Sequence, residues 1–135
     1  MTRVFADSFY FLALMNPKDP FHEPARQFSS SPPGSLLTTS FVLCELADGF
    51  ARTKYRSAVA KVIRRLRHSR THEVVPFSEE LFERALGLFD ERPDKSWSLT
   101  DCSSFIVMRD RGISDALTGD HHFEQAGFSI LLRLS

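Results

Sequence analysis

RVFADSFYFLAL, residues 3–14, sets the architecture of the chain. Arg3 to Ala6 is a short, mostly apolar run ended by Asp7, and Ser8 opens a second apolar stretch. This reads as a buried strand running into a helix, with Asp7 at the junction. The same alternation recurs along the rest of the sequence. NPKDP (16–20) is a breaker, Phe21 to Phe28 predicts a short helix, and SSSPPGS (29–35) is a loop. LLTT (36–39) predicts a second strand, with Ser40 capping a helix over FVLCELADGFA. From Tyr55 to His68, Val59, Val62, Ile63 and Leu66 recur at helical spacing. EVVPF (73–77) predicts a third strand, placed at a sheet edge by its proline. Ser78 caps the next helix, with Leu81, Phe82, Ala85, Leu86 and Phe89 as its expected buried stripe. Thr100 is expected to cap a helix from Asp101 to about Arg111, stopped by Gly112. DALTG (115–119) and FSILL (128–132) are the last two strands, around a short helix from His121 to Gln125. Strands alternating with helices on short connections argue for an α/β domain whose largely parallel sheet is covered on both faces.

The 135 residues suit one domain, 1–135. A composition of 42% hydrophobic and 25% charged residues, with thirteen Phe, is that of a globular chain with a Phe-rich core. Cys44 and Cys102 show no paired spacing and read as small buried hydrophobes. No window approaches the ~18 apolar residues of a membrane span, and no secretory leader pattern opens the chain, so a soluble cytoplasmic protein is expected.

Four carboxylates stand apart from the usual solvated acids. Asp7 ends an apolar strand, so its side chain is offered at the carboxyl edge of the sheet, where α/β proteins place ligands. Glu45 interrupts FVLCELA, where an ionised carboxylate is costly without a partner. Asp101 follows Thr100 in the first turn of a helix, where the dipole favours an anion and a purely structural role would also place it. Asp120 follows Leu117 and Thr118 at the carboxyl end of its strand. Asp115, at the amino end of that strand, should face the opposite edge. Acids gathered together repel one another unless cations neutralise them or protons are retained. Oxygen ligands select Mg²⁺ or Mn²⁺. Two such ions ~3.5 to 4 Å apart can activate water and stabilise the leaving oxygen in phosphodiester hydrolysis.

VFADSFYFLAL, TTSFVLCEL, WSLTDCSSF and ALTGDHHFEQAGF together resemble the four-motif pattern of PIN domains, in particular the free-standing VapC-type toxin endoribonucleases. The likeness spans nearly the whole chain, and SLTDCSSF and LTGDHHFEQAGF are its most specific blocks. The resemblance implies a three-layer α/β/α fold with five parallel strands. It also implies Mg²⁺ or Mn²⁺ dependence and RNA cleavage leaving a 3′-hydroxyl and a 5′-phosphate. Asp7, Glu45, Asp101 and Asp120 become the catalytic and metal-binding acids, with Ser8, Thr100 and Thr118 as supporting hydroxyls. A homodimer and a small antitoxin whose tail enters the active-site groove follow as partners, with RNA as substrate. Gly119 and His121 stand where members often carry basic or bulky residues.

The formal net charge is zero, 17 basic against 17 acidic groups, but the order of charges matters more than the sum. Eight of the basic residues lie within 52–72, a stretch without an acid, and 73–124 carries twelve acids against five bases. Lys61, Arg64 and Arg65 project opposite the apolar stripe and are candidate RNA-binding residues; the competing reading is a solvated helix face. His121 and His122 are adjacent, so they are not expected to reach one metal together, and His122 reads as a hydrogen-bonding or packing residue. Phe9, Tyr10 and Phe11 cannot all face inward, and whichever is exposed would suit a dimer or antitoxin surface. An aspartate-nucleophile phosphatase would need a second Asp where Phe9 stands. The alternative from another class is a catalytically silent PIN scaffold that binds RNA or protein.

Overall fold

A computed structural model describes residues 3–32 and 34–134; Pro33, inside the stretch read as a loop, lies outside the described residues, as do positions 1, 2 and 135. The described chain runs β1 (Arg3–Ala6), α1 (Ser8–Met15), α2 (His22–Ser30), β2 (Ser35–Thr39), α3 (Ser40–Gly49), α4 (Arg56–His68) and β3 (Glu73–Val75). It continues with α5 (Glu79–Glu91), α6 (Leu99–Asp110), β4 (Asp115–Leu117), α7 (His121–Gln125) and β5 (Ser129–Ile130). The strands form one sheet in the order β3-β2-β1-β4-β5, with every pairing parallel. Helices flank it, giving the expected α/β/α architecture.

β1 sits in the middle because Val4, Phe5 and Ala6 are buried on both faces, as a central parallel strand requires. Phe5 pairs in register with Leu37 on one side and Ala116 on the other. Strand order reverses between β1 and β4, which opens a crevice beyond their carboxyl ends. α6 is buried from Asp101 to Met108 and is the hub of the core. Phe105 packs edge-on against both Trp97 and Phe123, each with ring centres 5.0 Å apart. Gly112 ends α6 at φ 63°, the left-handed conformation that glycine adopts without penalty.

Several expectations are corrected. β3 stops at Val75, because Pro76 has no N–H for the ladder, and it is an edge strand as expected. α2 runs through Ser29 and Ser30, and β2 takes Ser35, so the loop between them is shorter than read. Thr39, not Ser40, caps α3 by accepting the Val42 N–H at 3.1 Å. Ser98, not Thr100, caps α6 in a reciprocal capping box with Asp101. Only Leu81 and Ala85 of α5 are buried; Phe82, Leu86 and Phe89 are exposed, because α5 is an outer helix that presents one row to α6. Cys102 is buried, but Cys44 is exposed, since Val42, Leu43 and Leu46 take the inner face of α3. None of Phe9, Tyr10 and Phe11 is exposed: Phe9 is half-buried edge-on against Phe21 at 4.8 Å.

Candidate active site

Asp7 occupies the N-cap position of α1, yet its side chain makes no capping bond. It turns into the crevice instead, 3% exposed, where the Thr118 hydroxyl donates to its Oδ2 at 2.9 Å. The bond forms because β1 and β4 are neighbours and both end at the switch point. The Thr118 oxygen also accepts the Asp120 N–H at 3.1 Å, so one threonine links the acids at two strand ends. Asp120 caps α7, its Oδ1 accepting the His122 N–H at 2.9 Å. α3 brings Glu45 to the same place, half-buried, with the Ser8 hydroxyl donating to its Oε1. Asp101 is 7% exposed, its Oδ2 accepting the Ser98 N–H and facing His122 Nδ1, both at 3.1 Å.

The structure thus brings together Asp7, Glu45, Asp101 and Asp120, with Ser8 and Thr118 among them. Thr100 has a different setting: its carbonyl accepts the hydroxyls of Ser103 and Ser104 within α6. Asp115 begins β4, at the opposite end from Asp120, as expected. Two members of the network, Ser98 and His122, lie outside the site residues expected from the sequence. Ser98 was legible as the first residue of a Ser-x-x-Asp capping pattern. Gly119 has its reason here as well, since a Cβ would lie 2.7 Å from two atoms of the Phe9 ring.

Electrostatics bind the acids into one unit. Burial pushes the Asp7 carboxyl up to about 7, and the charges of Asp101 and Glu45 add to it against the Thr118 hydrogen bond. Burial likewise raises Glu45, helped by Asp101, Asp120 and Asp48 and opposed by Ser8. Asp101 is raised by burial and by Asp120, and held down by the Ser98 N–H and by His122. Carboxylates in this state are short of positive charge. Their hard oxygens, with no thiolate among them, fit a hard divalent cation.

Lys61, Arg64 and Arg65 are exposed on α4, as expected. Of these, Arg64 lines a hollow of about 370 Å³ between α3 and α4, together with Arg56, Arg67 and Asp48. Asp48 acts electrostatically on Glu45, so the hollow adjoins the acid cluster. His121 and His122 converge more than adjacency suggested: their Nδ1 atoms lie 3.7 and 3.5 Å from Asp120 Oδ1.

A parallel sheet that gathers four carboxylates at its switch point is the arrangement of a metal-dependent nuclease. The chain belongs to the PIN domain family, which it matches over residues 4–129. It is 32% identical over 126 residues to the 23S rRNA-specific endonuclease VapC20 of Mycobacterium tuberculosis, covering 93% of this chain and 95% of that one. The crystal structure of M. tuberculosis VapC20, described as a sarcin-ricin loop cleaving toxin, superposes with a TM-score of 0.83 at 30% identity, over 93% and 95% of the two chains. The VapBC2 complex of Rickettsia felis, bound to a promoter DNA fragment, shares the fold at a TM-score of 0.64 and 13% identity, over 96% and 97% of the chains. No helix of the described residues is long and apolar enough to cross a membrane.

Proposed function

We propose that this chain, as a single nuclease unit, is a Mg²⁺- or Mn²⁺-dependent endoribonuclease and the toxin of a toxin-antitoxin pair acting in the cytoplasm. The observation that carries the reading is the convergence of Asp7, Glu45, Asp101 and Asp120 from four separate segments onto one crevice. A silent scaffold would have no reason to bury Asp7 beside other acids at an energetic penalty. The likeness to VapC20 makes ribosomal RNA, and the sarcin-ricin loop in particular, the first substrate to try.

Asp7, Glu45, Asp101 and Asp120 would hold the cation, whose chemistry is to lower the pKa of bound water and to stabilise charge on the phosphate. Thr118 and Ser8 fix the rotamers of Asp7 and Glu45, so that these carboxylates keep their aim before substrate arrives. Arg64, with Arg56 and Arg67, offers phosphate contacts beside an acid cluster that would otherwise repel a polyanion. An antitoxin and a second copy of the chain complete the partners, and the exposed apolar row Phe82, Leu86 and Phe89 supports pairing.

Purified protein incubated with total RNA and with single-stranded DNA, in Mg²⁺ and in chelator, tests the reading. Metal-dependent cuts at a few RNA positions, with 5′-phosphate and 3′-hydroxyl ends, are the expected result. Asp101→Asn should abolish them. Unchanged cutting by that variant, or none by the wild type, would remove the proposal.

A further inference from the structure

Asp101 and Asp120 reach the crevice from different elements, and one residue touches both. His122 donates its backbone N–H to Asp120 Oδ1 at 2.9 Å. Its ring Nδ1 lies 3.1 Å from Asp101 Oδ2. A carboxylate oxygen without a proton can only accept, so Nδ1 carries the hydrogen of this bond. The same Asp101 oxygen also accepts the Ser98 N–H at 3.1 Å. With two donors on Oδ2, the other oxygen of Asp101 is the one left for the crevice. At Asp120 the pattern repeats: Oδ1 is held by the His122 backbone and Oδ2 is left. The ring's 3.5 Å separation from Asp120 Oδ1 is too long for a second hydrogen bond, so backbone and ring serve one acid each.

We propose that His122 is a positioning residue of the metal site, clamping one oxygen of Asp101 and one of Asp120 so that the remaining oxygen of each faces the cation. The inference rests on the proposed function in one respect, that these acids hold a cation. Without the ring, Asp101 keeps only the Ser98 N–H and its carboxylate is freer to turn. The ring also ties α7 to α6 across the site. His121 provides a contrast: its side chain is 70% exposed, and at 3.7 Å from Asp120 Oδ1 it makes no hydrogen bond.

A competing arrangement would make His122 itself a metal ligand, since ligand atoms of Asp120, His121 and His122 lie within 4.8 Å of one another. The geometry favours the clamp. Nδ1 faces both acids and donates to Asp101, so it has no lone pair to offer a metal, and ligation by this residue would fall to Nε2.

Side-chain isosteres separate the two. An Asn carboxamide nitrogen takes the place of Nδ1 and can donate to Asp101, whereas the Gln carboxamide reaches the place of Nε2 and can offer its oxygen to a metal. Mn²⁺ affinity of the full chain, measured by titration calorimetry, is compared across wild type, His122→Ala, His122→Asn, His122→Gln, His121→Ala and Asp101→Asn, with near-UV circular dichroism confirming folding. His122→Ala should weaken Mn²⁺ binding by about 10- to 100-fold, the usual effect of losing a hydrogen-bond partner of a metal ligand. His122→Asn should recover most of that loss, His122→Gln little, and His121→Ala should bind as wild type. In RNA cleavage, His122→Ala should lose kcat at low Mn²⁺, regain it at high Mn²⁺, and keep its KM for RNA. Wild-type Mn²⁺ affinity in His122→Ala overturns the clamp alone, provided Asp101→Asn has lost binding. Rescue by Gln and not by Asn also overturns it and makes Nε2 a ligand. Absence of Mn²⁺ binding in the wild type, or full binding in Asp101→Asn, brings down the metal site and the clamp with it.

Discussion

The Thr118 hydroxyl donates to Asp7 Oδ2 at 2.9 Å across 111 positions of sequence, joining the ends of β1 and β4 at the point where the strand order reverses. This bond fixes where Asp7 points, and its burial fixes what Asp7 lacks. The carboxyl is raised from 3.8 to about 7 chiefly by desolvation, so it binds a proton more tightly folded than unfolded.

The sign of the stability effect follows. In metal-free protein the Asp7 contribution is neutral below the unfolded value of 3.8 and becomes increasingly unfavourable as pH rises towards about 7. The full effect is about 4 kcal/mol, from the free-energy equivalent of each tenfold change in proton affinity. Asp7→Asn removes the ionisation and should be more stable than wild type at pH 8 in chelator, with the difference fading towards pH 4. Urea unfolding across that range checks it. Wild type as stable as the variant at pH 8 would contradict the burial argument.

Lys61, Arg64 and Arg65 replaced together by Ala should weaken RNA binding. The salt dependence should also flatten by up to about 2 in log–log slope, since each phosphate neutralised on a single strand contributes roughly 0.7. Fluorescence anisotropy at several salt concentrations measures both. Because Arg64 alone of the three lines the hollow beside α3, Arg64→Ala should carry a larger share than Lys61→Ala or Arg65→Ala.

The exposed row on α5 bears on assembly. Phe82→Ser with Leu86→Ser should shift sedimentation towards monomer while leaving the fold intact, because both side chains are exposed in the single chain. A sedimentation coefficient equal to wild type would remove α5 from any dimer contact.

Glu73 anchors the edge strand. It accepts Arg3 Nη2 at 2.7 Å and a two-pronged contact from Arg111 at 3.0 and 2.8 Å, and these hydrogen bonds, Arg111's foremost, lower its carboxyl to about 2. A depressed acid stabilises above its unfolded value of 4.5 and loses that contribution as pH falls towards about 2. Its side chain is 42% exposed, so solvent screening limits the effect to about 1 kcal/mol. Glu73→Gln should therefore unfold at lower urea than wild type at pH 7 and at the same urea near pH 2.

The strand ends were legible because each is written locally. RVFA stops at an acid, and LTGD delivers Asp120 the same way. The joining of Glu45 to Asp7 was not local, since it depends on α3 packing against α1, where the Ser8 hydroxyl beside Asp7 meets Glu45. Caps slipped by one or two positions at Ser40 and Thr100 because neighbouring Ser and Thr compete for the same N–H groups. Apolar spacing showed α5 to be a helix but not how many of its rows would be covered, because that is set by the helix packed against it. The sequence marks His122 as a hydrogen-bonding or packing residue, yet its partner lies 21 positions away on α6.

If Asp7, Glu45, Asp101 and Asp120 make one cation-dependent cutting site, single-turnover kinetics will show it. A labelled sarcin-ricin-loop RNA is given to wild type and to Asp7→Asn, each in Mg²⁺ and in chelator. The wild type should cut only with metal, and Asp7→Asn, folded and with unchanged RNA affinity, should be slower by at least about a hundredfold, equivalent to roughly 3 kcal/mol of transition-state stabilisation. Cleavage that survives chelation, or an Asp7→Asn variant that cuts at the wild-type rate, would refute the metal-site reading.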